Sequence, residues 1–242
     1  MKGLVGIIGA GIIRLNAVSQ GTLDAKISNS SLETTGYFQT PPEVVASRLQ
    51  AYMLTVLGES SLEAGKYYNA SKQLGEAVPI FKKTKDPGGD FEYFYSSFLL
   101  GKLCYDLSTS ENLDPNLKSK LLKESIEHLK VSHAEYKDYI QRSHIKLDED
   151  FKKWYLVNLD ANFTNVYASL GRYEEAAESV LRLIERLPIE KNVEALIKIA
   201  SKYPDGKFDE LILMIHISLG NKSEPIIRRI LNLREENHQN KN

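Results

Sequence analysis

The feature of this sequence that most limits its fold is a series of short, well-marked breaks that contain glycine or proline. They occur at 85–90, 108–116, 204–206 and 220–222, and a further proline stands at 188. The stretches between them are amphipathic and run for roughly 12 to 25 residues, the length of helices. The sequence lacks the sustained two-residue alternation of a half-buried strand. Helices joined by such short turns pack as antiparallel hairpins, so the sequence predicts an all-α protein.

The segment 163–176 shows the pattern of one such hairpin most clearly. Gly171 allows a tight turn between two helices, because glycine adopts backbone angles that other residues avoid. Ala176 is small enough to let the two helices approach closely, and Tyr167 is predicted to fill the space between them. Pro188 then ends the second helix, since proline cannot continue a helical hydrogen-bond ladder.

The same pattern recurs along the chain at a spacing of about 34 residues. The matching positions are Gly58, Gly65, Ala70, Leu74 and Ala77 in one unit, Gly101, Cys104, Ser125, Leu129 and Ser132 in a second, and Gly206, Phe208 and Leu211 in the last. These motifs resemble the tetratricopeptide repeat over about residues 44–225, apart from residues 138–156, which match no clean repeat. The resemblance implies antiparallel hairpins stacked as a right-handed superhelix, an α-solenoid, with residues 224–237 as a capping helix. The apolar residues of this capping helix are expected to face the last hairpin: Ile226, Ile227, Ile230, Leu231 and Leu233.

The sequence divides into three predicted parts. Residues 1–40 form an apolar N-terminal segment and a linker, residues 41–237 form the helical-repeat domain with its capping helix, and residues 238–242 form a polar tail. The repeat domain is predicted to start at a capping box, because Thr40 and Glu43 have the spacing that satisfies free amide groups at a helix start.

The apolar run at residues 4–13 has more than one interpretation. It is too short to span a bilayer as a helix, which takes roughly 20 residues, but it has the length of a signal-peptide core. A signal, an anchor and a segment packed on the domain or on a partner are all left open. Its glycines resemble a dinucleotide-binding loop, but Arg14 stands where the third glycine belongs and no βαβ pattern follows.

Composition and motifs argue against catalysis and against nucleic-acid binding. Basic and acidic residues number 31 and 32, so the chain has no global positive field for a nucleic acid. A single cysteine, Cys104, excludes an internal disulfide and cysteine-based zinc sites, and its apolar flanks predict a buried position. The five histidines lack a metal-binding spacing, and no nucleophile elbow or phosphate loop is present. We therefore predict a protein that is not an enzyme and holds no cofactor or metal.

The resemblance also implies where a partner would bind, because such superhelices hold peptides or partner helices along a concave groove lined by the first helix of each hairpin. The candidate partner-binding residues are Asn158, Asn162 and Asn165 on one helix, Tyr95, Lys102 and Tyr105 on another, and Tyr52 on the first. The three asparagines share one helix face, and their amides can both donate to and accept from a peptide backbone. The competing interpretation is that the asparagines are merely solvated and the aromatic residues pack between helices.

The sequence therefore predicts a non-catalytic scaffold or adaptor that binds a peptide or a partner subunit. The alternative is a structural subunit of a larger assembly, including a membrane-associated one, anchored by the apolar N-terminal segment. We expect a cytoplasmic protein. Secretion or membrane association would depend on residues 1–20, because residues 44–237 contain no apolar run of membrane-spanning length.

Overall fold

The computed structural model describes residues 41–85, 90–142 and 147–239, with side chains described as far as residue 236. The chain divides into two units, Met1–Pro42 and Glu43–Asn242, and the described helices belong to the second, apart from Pro42 itself. The predictions made for residues 1–40 lie outside the described residues: the apolar run, the glycine motif, the linker and the Thr40 cap.

All secondary structure in the described ranges is helical, which confirms the predicted all-α class. The helices are α1 (Pro42–Glu63), α2 (Tyr67–Lys83), α3 (Phe91–Ser108), α4 (Pro115–Arg142), α5 (Glu149–Ser169), α6 (Tyr173–Arg186), α7 (Glu190–Ala200), α8 (Phe208–Leu219) and α9 (Ser223–Gln239), with 3₁₀ turns at Asp205–Lys207 and Gly220–Lys222. Sequential helices pack on each other from α2 to α7, and α3 also contacts α5.

Two of the turns between helices have the same geometry. Gly65 between α1 and α2 has φ of 68°, and Gly171 between α5 and α6 has φ of 71°. Each donates its amide to a carbonyl three residues earlier at 3.1 Å, from Leu62 and Ala168 respectively. A side chain is disfavoured at this backbone angle, which explains why both turns contain glycine.

Aspartates fix the starts of three other helices. Asp90 accepts a hydrogen bond from the Tyr93 amide at α3, and Asp148 accepts one from the Phe151 amide at α5, both at 3.0 Å. Asp114 accepts from the amides of Asn116 and Leu117 at α4, also at 3.0 Å. Each carboxylate satisfies amides that have no partner within the first helical turn.

The repeat positions found in the sequence are core positions in the hairpins where they were clearest. The small residues Ala70, Ser125 and Ala176 are buried, and so are the larger residues Leu74, Leu129 and Val180. Small and large side chains that alternate one turn apart along a helix let it interlock with its partner at the packing density of a protein interior.

The buried serines of α4 are satisfied by backbone carbonyls of α3. Ser125 Oγ donates to the Gly101 carbonyl at 2.7 Å, and Ser132 Oγ donates to the Phe94 carbonyl at 2.7 Å. Ser132 also lies 2.6 Å from the Tyr155 hydroxyl, which ties α5 to the same hairpin. Serine therefore replaces alanine here without leaving a buried hydroxyl unpaired.

The C-terminal helices follow the prediction in part. Helix α9 packs on α7 and α8 with Ile226 and Ile230 buried, as expected for a capping helix. Leu231, which was also predicted to face inward, is exposed. That assignment is wrong because Leu231 directly follows Ile230, so it lies about 100° further round a helix of 3.6 residues per turn.

Candidate partner-binding surface

An aromatic cluster joins α3 to α5 and forms the base of the candidate surface. Its rings are those of Phe91, Phe94, Phe98, Phe151 and Tyr155. Phe91 and Phe151 have ring centroids 5.4 Å apart, and Phe98 and Tyr155 have centroids 5.5 Å apart in an edge-to-face arrangement. Such contacts fix the two helices rigidly relative to each other, because aromatic pairs prefer specific geometries.

Trp154 lies at the edge of this cluster and is 43% exposed. Its ring centroid is 6.4 Å from Tyr95, 6.0 Å from Phe98 and 5.7 Å from Phe151. The indole is therefore held on one side by aromatic neighbours and open to solvent on the other. An exposed tryptophan with a fixed orientation is well suited to binding, since little conformational freedom remains to be lost.

Tyr95 supports the surface from below. It is buried, and its hydroxyl donates a hydrogen bond to Glu59 Oε1 of α1. Burial and the neighbouring Glu59 charge raise the pKa of Tyr95, so it stays protonated and remains a donor. Tyr95 was predicted to contact a partner directly, but its ring lacks the exposure for that contact. Its position suits holding Trp154 and Glu59 in place.

Glu59 and Tyr52 place an acidic group beside the aromatic rings. Burial raises the pKa of Glu59, and the hydrogen bond from Tyr95 opposes that shift. Tyr52 is half-buried, and burial together with the charges of Glu92 and Glu59 raises its pKa. Glu59 has no ion-pair partner among the described residues, so it can accept a hydrogen bond or a cation from a ligand.

The three predicted asparagines of α5 do not share one environment. Asn158 is half-buried and donates to the Trp154 carbonyl at 2.8 Å, whereas Asn165 is exposed. Asn162 is only 8% exposed and donates to the Asn158 carbonyl at 2.7 Å. The prediction of one accessible stripe therefore fits Asn158 and Asn165, while Asn162 faces the interior.

Lys102 and Tyr105 extend the surface along α3. Lys102 Nζ lies 2.7 Å from Asp106 Oδ2, and both side chains are partly exposed. Burial and the Asp106 charge raise the pKa of Tyr105, while a hydrogen bond with Ser169 at the end of α5 lowers it. We call the surface formed by Tyr52, Glu59, Trp154, Asn158, Lys102 and Tyr105 the α1–α3–α5 surface.

Sequence reasoning missed Trp154. The residue stands one turn before Asn158, so it lies on the same helix face, and it is the only tryptophan of the chain. That signal was available in the sequence. It was overlooked because residues 138–156 match no clean repeat, and the start of α5 at Glu149 was not apparent.

Cys104 is buried, as predicted, and burial raises the pKa of its thiol to about 12, so the nucleophilic thiolate is absent at neutral pH. Within residues 41–85, 90–142 and 147–239, no three histidine, cysteine or acidic side chains are grouped to hold a metal ion.

Comparisons of the chain with protein-family models, with curated protein sequences and with solved structures gave no match. The tetratricopeptide resemblance therefore stays a prediction, carried by the repeat residues themselves. A separate finding concerns membranes: none of the helices in the described residues is both long enough and apolar enough to cross a bilayer.

Proposed function

We propose that this protein is a tetratricopeptide-type scaffold that binds a peptide or a partner subunit along the α1–α3–α5 surface. The observation that carries the proposal is Trp154, exposed on an aromatic base beside the acidic Glu59. In this arrangement α1, α3 and α5 are the first helices of three hairpins, and their exposed residues line a concave groove.

The repeat assignment is supported by matching positions in different hairpins. Gly65 and Gly171 form turns with nearly the same φ. Gly58 faces Leu74 just as Gly101 faces Leu129, and in both cases a side chain in place of the glycine would clash. Recurrent turn geometry together with recurrent close contacts favours repeated hairpins over an unrelated helical bundle.

The chemistry of the surface indicates the kind of ligand. Trp154 offers an apolar face, Asn158 Oδ1 makes no hydrogen bond among the described residues, and Glu59 has no ion-pair partner there. An extended peptide supplies matching groups: an apolar or aromatic side chain for the indole, a backbone amide for the asparagine oxygen, and a basic side chain for the carboxylate. We therefore propose a peptide that carries an apolar residue near a lysine or arginine.

The test is to select peptides from a random displayed library against the full chain and to measure their affinity by calorimetry. Trp154→Ala should weaken binding at least about tenfold, which corresponds to 1.4 kcal/mol. Tyr68→Ala is the matched control, because Tyr68 is a more exposed aromatic residue on α2, outside the surface. Equal affinity of the wild type and Trp154→Ala would contradict the proposal.

A further inference from the structure

Helix α1 exposes a continuous apolar face that the proposed function does not use. Val45, Leu49, Met53 and Leu57 are 38%, 42%, 58% and 51% exposed, respectively. They are spaced four residues apart, so they form a single row along the helix. We call this row the α1 stripe. Single exposed leucines are ordinary on protein surfaces, but a contiguous apolar row marks a binding surface.

The α1 stripe lies in a stretch almost free of charge. Residues 44–58 contain one charged residue, Arg48, and it does not belong to the stripe. Arg48 is directed toward α3, where its guanidinium lies 2.7 Å from Asp90 and 3.3 Å from Glu92. Depletion of charge at an apolar centre is typical of protein–protein interfaces.

We propose that the α1 stripe binds the α1 stripe of a second copy of this chain, with the two helices antiparallel. A twofold axis near residue 51 places Leu49 of one copy against Met53 of the other. It also places Val45 against Leu57, because the row is symmetric about that point. Most helix faces resist such self-pairing, since a charged residue on the face would be buried against the second copy without an opposite charge, and the α1 stripe carries none.

Length also favours α1 over α8, which exposes an apolar pair of its own. Leu213 and Ile217 of α8 are 60% and 75% exposed. Helix α1 has 22 residues and α8 has 12, so they extend for about 33 Å and about 18 Å. Helix α8 provides only two such residues, and its first turn carries the acids Asp209 and Glu210. The contact between α1 helices is at the small end of specific interfaces, so the dimer should be reversible and concentration-dependent.

The test uses the full chain in analytical ultracentrifugation over a range of concentrations. The wild type should form a dimer, and Leu49→Glu and Met53→Lys should each raise its dissociation constant at least tenfold. Mixed in equal amounts, the two variants should dimerise again, because the antiparallel register sets the introduced carboxylate against the introduced ammonium group. Recovery on mixing also shows that both variants are folded. Leu213→Lys, the same kind of change on α8, should leave the dimer unchanged.

Three results would overturn the proposal. A wild-type chain that stays monomeric at every concentration would assign the α1 stripe to another occupant. Variants that each dimerise like the wild type would place the interface elsewhere. A mixture that stays monomeric, with both variants folded by circular dichroism, would exclude the antiparallel register. Each result is independent of peptide binding at Trp154, which is measured separately.

Discussion

At the scale of single residues, a cluster of charged and titratable side chains around the buried Asp160, between α4, α5 and α6, has consequences for stability. Asp160 is buried, with Arg182 Nε 2.9 Å from its Oδ1 and Arg186 Nε 3.5 Å from its Oδ2. Burial raises the pKa of Asp160, although both arginines lower it. The same cations act on His133 of α4. Burial and the charges of Lys137, Arg182 and Arg186 lower the pKa of His133 to about 4.

The lowered pKa of His133 predicts a loss of stability in mild acid. Between pH 6.5, the ordinary pKa of histidine, and about 4, the unfolded chain binds a proton that the folded protein does not. Stability from this source is therefore present above pH 6.5 and falls as the pH decreases toward 4. We expect the thermal midpoint of His133→Gln to fall less than that of the wild type between pH 7 and pH 5.

The comparison stops at pH 5 because burial raises the pKa values of Glu59 and Asp160. Their protonation at lower pH therefore stabilises the folded protein and opposes the effect of His133. His128, whose pKa is also lowered by burial, accounts for a slope that remains in the variant. If His133→Gln and the wild type lost the same stability over this range, His133 would not be shielded from protonation.

At the scale of helices, the close contact between α3 and α4 depends on a missing side chain. A Cβ atom at Gly101 would lie 2.9 Å from Leu129 Cγ and 3.2 Å from the Leu129 amide nitrogen. Gly101→Ala should therefore destabilise the protein by roughly 1–3 kcal/mol, since the helices must separate or strain. Chemical denaturation followed by circular dichroism measures the change in the free energy of unfolding.

Gly75→Ala is the control for that substitution. Gly75 lies inside α2, and a Cβ atom added there would have no atom of another helix within 4 Å among the described residues. Alanine should stabilise the helix there by up to about 1 kcal/mol, because glycine is the poorer helix former. The two substitutions should thus have opposite signs. A neutral Gly101→Ala would mean that α3 and α4 are not in close contact at this point.

The helices also show what the sequence could and could not predict. Turns at Gly65 and Gly171 were predictable, because local backbone strain selects glycine there whatever the surroundings. The burial of Asn162 and the exposure of Leu231 were not. A helical wheel places residues within a face, but which edge of that face is covered depends on the neighbouring helices. Trp154, by contrast, could be placed from the sequence on the same helix face as Asn158, and only its support by the rings of α3 depends on the contact between helices.

At the scale of the whole molecule, the two proposed surfaces use adjoining faces of α1. Tyr52 and Glu59 belong to the α1–α3–α5 surface, whereas Leu49 and Met53 belong to the α1 stripe. A dimer formed through the stripe would leave a peptide-binding surface on each copy. A partner with two matching segments would then bind more tightly than either segment alone, because the second contact forms at high effective concentration.

The most direct test of the proposed function uses Trp154 itself, because it is the only tryptophan and it is partly exposed. Its fluorescence is followed while a library-selected peptide is added to the full chain. We predict an emission shift to shorter wavelength and protection from acrylamide quenching, both saturating at the dissociation constant found by calorimetry. Binding by calorimetry with an unchanged Trp154 spectrum would place the ligand elsewhere and contradict a binding surface on α1, α3 and α5.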